Sequence, residues 1–283
     1  MVSVKRFIQD EPALVKATGE FVQMFAKVPD PVIAVAMRSG ADDVNARIAW
    51  TLLGTALFQD RTCGEIGAVL NPLYDVFPGS KLWSLPVPTA AAINEAVDSA
   101  LDGTHWSLSE HVAGIFWSVG LFVRRHPDLA AWAQERTPEE MWRDLGEIYF
   151  MGKSNPRPKA CAAIYRLLAP APLGLGLKCR DASRMPPLPL TMGARRYLAI
   201  LGPARDEGFA DLEPSEKQEL ANRYCAALSP ENPYAAAHAL QFFLEEGLED
   251  FVCRERTEHC SKCALYEYCD YAEHRDEGAY AKF

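Results

Sequence analysis

The chain has 283 residues, of which 49% are hydrophobic, and a formal net charge of −9. A chain of this size can bury one or two ordinary cores, and no apolar run approaches the ~20 residues needed to cross a bilayer. The N-terminal residues do not resemble a signal peptide, so a cytoplasmic protein without a membrane partner is expected. The acidic average argues against a nucleic-acid-binding protein.

Hydrophobic spacing and capping residues predict an almost entirely helical chain. The predicted helices cover residues 11–27, 44–58, 63–77, 90–101, 107–125, 128–134, 138–150, 192–201, 214–228 and 232–246. The helix over 44–58 is apolar on most faces and should be buried, and Thr62 is a candidate cap for the helix that follows. No segment alternates like a strand, so the predicted fold class is all-α.

A proline-rich run over 168–190 separates the last predicted helices from the rest. Its prolines exclude a regular helix. Loops of this length in a compact domain are either functional or mobile. The run is therefore predicted to be a long surface loop.

Basic residues are concentrated in one segment. Between Lys153 and Arg196 there are nine basic residues and one acid, Asp181, in an otherwise acidic chain. Such a segment is either a solvated face or a phosphate-binding patch. The second interpretation is preferred.

Four cysteines lie within 17 residues near the C-terminus, with the spacing C-x6-C-x2-C-x5-C. Thiolates are soft ligands that suit zinc or an iron–sulfur cluster. Structural zinc usually takes two separated C-x2-C pairs, whereas one pair flanked at six and five residues favours a loop around a [4Fe–4S] cluster. Two disulfides are a third alternative, although a chain of this length does not need them for its core. The other four cysteines are predicted to be mostly small buried hydrophobic residues.

This spacing, at the end of a helical chain, resembles the cluster loop of the endonuclease III group, DNA glycosylases of the helix-hairpin-helix superfamily. The resemblance implies a two-domain all-α fold. One domain would be a helical barrel over 44–187 that ends in the hairpin, and the other would join 1–43 to 188–283. The cluster ligands would be Cys253, Cys260, Cys263 and Cys269. The implied partner is double-stranded DNA that is damaged or abasic, and a monomer is expected.

The stretch 52–62 resembles the family's glutamine-bearing loop, with Gln59 in the glutamine position. In the family this loop enters the duplex where a base is flipped out. A polar side chain that fills the gap offsets part of the cost of extruding the base. The alternative is a solvent-facing glutamine at a helix end.

The stretch 151–162 resembles the family's DNA-binding hairpin, which favours the phosphate-binding interpretation of the basic segment. It places Lys159 in the position of the family's Schiff-base lysine. The family's glycine pair is missing, and Pro156 and Pro158 remove N–H donors that the motif presents to phosphate. Phosphate contacts would then come from the side chains of Lys153, Ser154 and Arg157. Arg157 would also favour a neutral, nucleophilic Lys159, although a solvated or phosphate-binding lysine is the alternative.

The family's catalytic carboxylate has no direct counterpart. The best match for its stretch puts Leu190 in the aspartate position and Arg195 in the position of a following DNA-binding arginine. A leucine cannot stabilise positive charge on a sugar or accept a proton. Asp181, from the proline-rich run, or Asp206 is a possible substitute.

Three functions remain open at this point. The chain could be a divergent DNA glycosylase or abasic-site lyase that uses Lys159. It could also be a DNA-damage-binding homologue without catalysis, which Leu190 favours. An iron–sulfur redox or assembly protein without a nucleic-acid role is the third, and the basic segment disfavours it.

Overall fold

The computed structural model describes residues 3–58, 62–101, 109–152, 157–205, 208–244 and 265–269. In this part of the chain the regular structure consists of α- and 3-10 helices, with no strand. The all-α prediction is therefore confirmed. None of the described helices is long and apolar enough to cross a membrane.

Backbone contacts divide the chain into two compact units, 29–186 and 1–28 with 187–283, which we call the central and the terminal unit. The sequence placed the first boundary at 44. In the structure residues 29–43 lie in the central unit, because the helix Pro31–Ala36 packs against the helix Val44–Leu57.

The central unit contains eight α-helices in its described part. They are α3 (Pro31–Ala36), α4 (Val44–Leu57), α5 (Cys63–Val76), α6 (Ala90–Leu101), α7 (Val112–Arg125), α8 (Leu129–Glu135), α9 (Pro138–Asp144) and α10 (Pro158–Leu168). Short 3-10 turns cover Met37–Ser39, Ser109–His111 and Leu145–Glu147. Helix α3 was not predicted, and α9 ends earlier than predicted because the 3-10 turn continues it.

Helix α4 is the centre of this unit, as its apolar sequence predicts. Nearly every residue from Ala46 to Leu57 is buried, against α3, α7, α8 and α10. Its buried hydroxyls are satisfied within the helix, since Thr51 Oγ1 donates to Arg47 O at 2.8 Å and Thr55 Oγ1 donates to Thr51 O at 2.7 Å. These hydrogen bonds offset the cost of burying the two hydroxyls in the core.

The terminal unit contains five α-helices among its described residues. They are α1 (Val4–Asp10), α2 (Pro12–Phe25), α11 (Met192–Ile200), α12 (Pro214–Leu228) and α13 (Pro233–Gln241). Its 3-10 turns are Phe209–Asp211, Phe242–Leu244 and Tyr266–Tyr268. Helix α1 was not predicted.

A chain of buried hydroxyls crosses the core of the terminal unit. Tyr197 OH lies 2.6 Å from Thr18 Oγ1 and 2.8 Å from Tyr224 OH, and Thr18 Oγ1 donates to Leu14 O. Helix α11 meets α13 at Gly193, where an added Cβ would lie 2.4 Å from Gln241 O. The sequence gives no direct sign of either contact.

Beyond Leu168, which ends α10, the proline-rich run contains no helix or strand, as predicted, but much of it is packed within the central unit. It turns back on α10, where Leu175 N donates to Arg166 O at 2.8 Å and Leu177 N donates to Leu167 O at 3.0 Å. These bonds satisfy carbonyls at the C-terminal end of α10. Leu175, Leu177 and Met185 pack against the core, which the loop prediction did not anticipate.

Candidate functional site

The end of α4 is the first part of the candidate site. Asp43 caps the beginning of the helix, with its Oδ1 accepting from Ala46 N at 2.9 Å. The helix ends at Leu57, and Phe58 leaves helical geometry with φ −74° and ψ 84°. Gln59 follows directly and lies outside the described residues. Thr62 then caps α5 in a reciprocal box with Glu65, which confirms the predicted cap.

The hairpin between α9 and α10 forms the second part. Three of its described residues have positive φ: Phe150 at 68°, Gly152 at 99° and Arg157 at 50°. Only one of these three is a glycine, although this conformation costs other residues free energy. Lys153 and Ser154 lie outside the described residues. At the described end of the segment, side-chain contacts of Arg157 with α9 accompany this backbone conformation.

Arg157 provides one of these contacts. Its guanidinium carbon lies 4.1 Å from the Trp142 ring centroid, and Nη1 donates to Trp142 O at 3.1 Å. The same group covers Gly146, where an added Cβ would be 2.3 Å from Nη1. Arg157 was predicted to contact phosphate and to favour the neutral form of Lys159. In the structure its guanidinium packs against Trp142 of α9.

Lys159, the second residue of α10, reaches across to α4. Its Nζ donates to Ala56 O at 2.7 Å and lies 5.4 Å from the centroid of the Phe150 ring. A carbonyl at a helix C-terminus and an aromatic face both stabilise a positive charge. The fold thus places the hairpin lysine at the last turn of α4, three residues before Gln59.

A buried ion pair between Asp30 and Arg166 of α10 lies next to the last turn of α4. Arg166 Nε and Nη2 lie 3.0 and 2.9 Å from Asp30 Oδ2, and Asp30 Oδ1 caps α3 by accepting from Val32 N at 2.9 Å. Arg166 also donates from Nη1 to Thr55 Oγ1 at 3.4 Å, and its guanidinium carbon lies 5.0 Å from the Phe58 ring centroid. Sequence reasoning missed this pair, although Asp30 before Pro31 carries the signal of a helix cap.

Asp181, the proposed substitute carboxylate, lies in an exposed turn. Its Oδ1 accepts from Ser183 N at 2.8 Å, and the hydrogen bonds from Ser183 hold the pKa of this carboxyl below its usual value. Asp206 lies outside the described residues. A carboxylate that closes its own turn has a structural role of the kind common in loops.

Leu190 and Arg195 flank the beginning of α11. Leu190 is buried, the adjacent Thr191 caps the helix through Ala194 N at 3.3 Å, and Arg195 is exposed while Arg196 is buried. The position assigned to the family's aspartate is therefore an apolar position next to a capped helix.

The cations of the basic segment differ in their surroundings among the described residues. Four are engaged within the central unit: Arg157 on Trp142, Lys159 on Ala56, Arg166 on Asp30, and Arg180 on Glu140 at 2.7 Å. Arg180 is nevertheless exposed, as are Lys178, Arg184 and Arg195. The preferred interpretation of the segment as a phosphate-binding patch therefore applies to only some of its residues.

Cys269 is the one predicted cluster ligand within the described residues. It is half-buried after the turn Tyr266–Tyr268, and its N–H donates to Tyr266 O at 3.1 Å. In the described part of the chain no three His, Cys, Asp or Glu side chains come together as a metal site. Cys253, Cys260 and Cys263 lie outside it, so the cluster remains a prediction. Of the other cysteines, Cys63, Cys161 and Cys225 are buried and Cys179 is half-buried, as predicted.

The architecture is similar to that of a known structure, a non-covalent endonuclease III–DNA complex, with a TM-score of 0.56 and 14% sequence identity over 98% of this chain and 100% of that chain. The chain has the endonuclease III fold. This result confirms the predicted helix-hairpin-helix architecture. No protein-family model matches the sequence, and no curated protein shows significant similarity to it.

Proposed function

We propose that this protein binds duplex DNA at a damaged or abasic nucleotide and does not excise bases. The observation that carries the proposal is the contact of Lys159 Nζ with Ala56 O at 2.7 Å. It brings the lysine of the hairpin to the helix end that leads into Gln59. The endonuclease III structure with a similar fold contains DNA, which supports the same class of partner for this chain.

In this proposal, Gln59 fills the gap left by an extruded or missing base. Lys153, Ser154 and Arg195 contact the DNA backbone, which supplies most of the affinity and makes binding sensitive to salt. Arg157 contributes indirectly, since its guanidinium is engaged with Trp142. Its role is to stabilise the positive-φ backbone of the hairpin, which glycines would adopt more easily.

Two features argue against base excision. Leu190 is apolar and buried, so it cannot stabilise the oxocarbenium-like sugar that forms when a glycosidic bond breaks. A nucleophilic lysine must also be neutral, whereas the carbonyl of Ala56 and the ring of Phe150 stabilise the ammonium form of Lys159. Both features favour binding over chemistry.

An abasic-site lyase is the second candidate, and the position of Lys159 next to the Gln59 segment supports it. In that reaction Nζ attacks the C1′ aldehyde of the open sugar, and water leaves to give an imine. Loss of the proton at C2′ then expels the 3′ phosphate. A base for this proton is needed, and Asp181 is engaged in its own turn.

We further propose that Cys253, Cys260, Cys263 and Cys269 hold a [4Fe–4S] cluster. Four thiolates on one short segment are a donor set suited to this cluster, and Cys269 is placed on a short turn rather than in a long helix. When bound, the cluster would cross-link the C-terminal segment. Anaerobic purification should give about four irons per chain, and Cys260→Ser should lower this value while Cys225→Ser should not. Stoichiometric zinc without iron would contradict the assignment.

The binding proposal is tested by fluorescence anisotropy with two duplexes that differ only by one abasic site. Binding should weaken steeply with salt, and the abasic duplex should bind more tightly. Lys159→Met should remove this preference. Lys217→Met is a matched control in the terminal unit, because Lys217 Nζ also donates to a carbonyl at 2.7 Å and lies 5.6 Å from the ring centroid of Phe209. Absence of any salt-sensitive binding would instead support a redox or assembly role.

A further inference from the structure

The last turn of α4 is held by two cations from one face of α10. Lys159 and Arg166 are seven residues apart, two helical turns, and therefore project from the same side of that helix. Lys159 bonds Ala56 O, and Arg166 contacts Thr55 and Phe58. The two contacts of Arg166 flank the residue that accepts from Lys159.

Arg166 is fixed from the other side by a fully buried partner. The side chains of Asp30 and Arg166 are 0% and 5% exposed, and two guanidinium nitrogens lie close to one carboxylate oxygen. Because Asp30 also caps α3, its carboxylate has little freedom to move. A planar guanidinium held in this way presents its remaining atoms in a fixed direction.

Phe58 is the residue through which Arg166 contacts the chain immediately after α4. It is half-buried, follows the last helical residue of α4 and immediately precedes Gln59. Its ring lies against the guanidinium of Arg166, so the last described residue before Gln59 has a fixed neighbour. An ion pair required for stability alone would not need the contacts with Thr55 and Phe58.

We infer that Arg166 is a positioning residue for damage recognition, which acts by fixing Thr55 and Phe58 at the end of α4, directly before Gln59 in the sequence. This inference rests on the proposed DNA-binding function. Its consequence is that discrimination between abasic and intact duplexes depends on the contacts of Arg166 with Thr55 and Phe58. General affinity for DNA does not depend on these contacts.

The test uses substitutions that keep the buried ion pair. Thr55→Val removes the hydroxyl that Arg166 contacts at nearly constant volume, and Phe58→Leu removes the ring. Each should lower the ratio of affinities for abasic and intact duplex by about tenfold or more, as expected for a small displacement of a binding group. The affinity for intact duplex and its salt dependence should stay unchanged.

Matched controls separate positioning from stability. Thr51→Val removes a buried hydroxyl one turn earlier on α4 that bonds only the carbonyl of Arg47 among the contacts described, and it should leave the ratio unchanged. Thr55→Ser retains a hydroxyl and should retain the ratio. The melting temperature of each variant is measured alongside, and the comparison of Thr55→Val with Thr55→Ser decides the question if Phe58→Leu does not fold.

Combination with Gln59→Ala completes the test. If Arg166 acts through the Gln59 segment, Thr55→Val should cause no further loss of discrimination in a Gln59→Ala background. Additive losses, or an unchanged ratio in both Thr55→Val and Phe58→Leu, would overturn the inference while the proposed function stands. A wild-type protein without any preference for abasic duplex would overturn both.

Discussion

The hairpin in the central unit and the beginning of α11 in the terminal unit differ in chemistry. At the hairpin, Lys159 and Arg157 are directed at carbonyls and aromatic rings. At α11, Leu190 is buried beside a capped helix end. The first region holds cations in defined positions, and the second offers no carboxylate at the position where the resemblance requires one.

This contrast supports the proposed separation of binding from catalysis. A hairpin needs shape and positive charge to hold a nucleic acid, whereas bond cleavage needs a group that responds to charge in the transition state. In the proposal, the packing of Arg157 around Trp142 and Gly146 meets the first requirement in place of glycines. The described residues do not supply the second at Leu190.

The largest expected effect comes from removing the buried ion pair between Arg166 and Asp30 in the central unit. Arg166→Met removes the guanidinium that pairs with the buried carboxylate of Asp30 and should lower the free energy of unfolding by about 3–5 kcal/mol, measured by urea denaturation. Arg38→Met is the control, because Arg38 also pairs with a carboxylate, Asp75, and lies 4.4 Å from the Tyr74 ring centroid, but in an exposed position. It should cost less than about 1 kcal/mol. Equal losses would show that burial does not govern the Arg166 pair.

The next prediction concerns Leu190, the buried apolar residue at the beginning of α11. Leu190→Asp puts a carboxylate at a buried position and should lower the free energy of unfolding by about 2–5 kcal/mol, from lost packing and desolvation. Leu190→Met should cost less than about 1.5 kcal/mol. Thermal denaturation of the two variants measures the difference. A Leu190→Asp protein as stable as the wild type would mean that this position can accommodate a carboxylate.

Lys159→Met sharpens the comparison by removing a charged donor while keeping most of the side-chain volume. Ala56 O loses its bond from Nζ, so the free energy of unfolding should fall by about 1.5–3 kcal/mol. Lys217→Met, with its similar carbonyl bond, should also reduce stability. The affinity for abasic duplex separates the two variants, since only Lys159→Met should lower it. A loss in both would indicate that reduced stability, rather than a lost contact, weakens binding.

The smallest expected effect concerns alkaline pH and the terminal unit. Burial raises the pKa of Tyr197 to about 12, above the usual value of about 10. The folded state therefore retains a proton that the unfolded state releases, and this contribution to stability is present below pH ~10 and lost toward pH ~12. Tyr197→Phe should lose about 1 kcal/mol at neutral pH. Its stability should decline less steeply above pH 10 in denaturation measured across pH, and an unchanged decline would contradict the assignment.

The sequence predicts much of the fold because helix signals are local. Apolar spacing and caps such as Asp43 and Thr62 mark the helices correctly, and the cysteine spacing indicated the fold that the structure confirms. Helices α1 and α3 were missed because each is short, and Pro31 reads as a break although it is the first residue of α3.

The candidate site was only partly predictable. The position of Lys159 beside α4 follows from the family resemblance, but its contact with Ala56 depends on packing between elements 103 residues apart. The Asp30–Arg166 pair joins residues 136 apart, and the packing of Arg157 on Trp142 was not predicted either. Contacts of this kind depend on tertiary packing, which local patterns do not encode.

The most direct test of the account is borohydride trapping on a duplex with one abasic site. We expect the wild-type protein to retain the duplex in a salt-sensitive complex without forming a covalent adduct, because Lys159 Nζ is bonded to Ala56 O and Leu190 cannot assist chemistry. A covalent adduct that is lost in Lys159→Ala would contradict this account. It would show that the lysine is an active Schiff-base nucleophile.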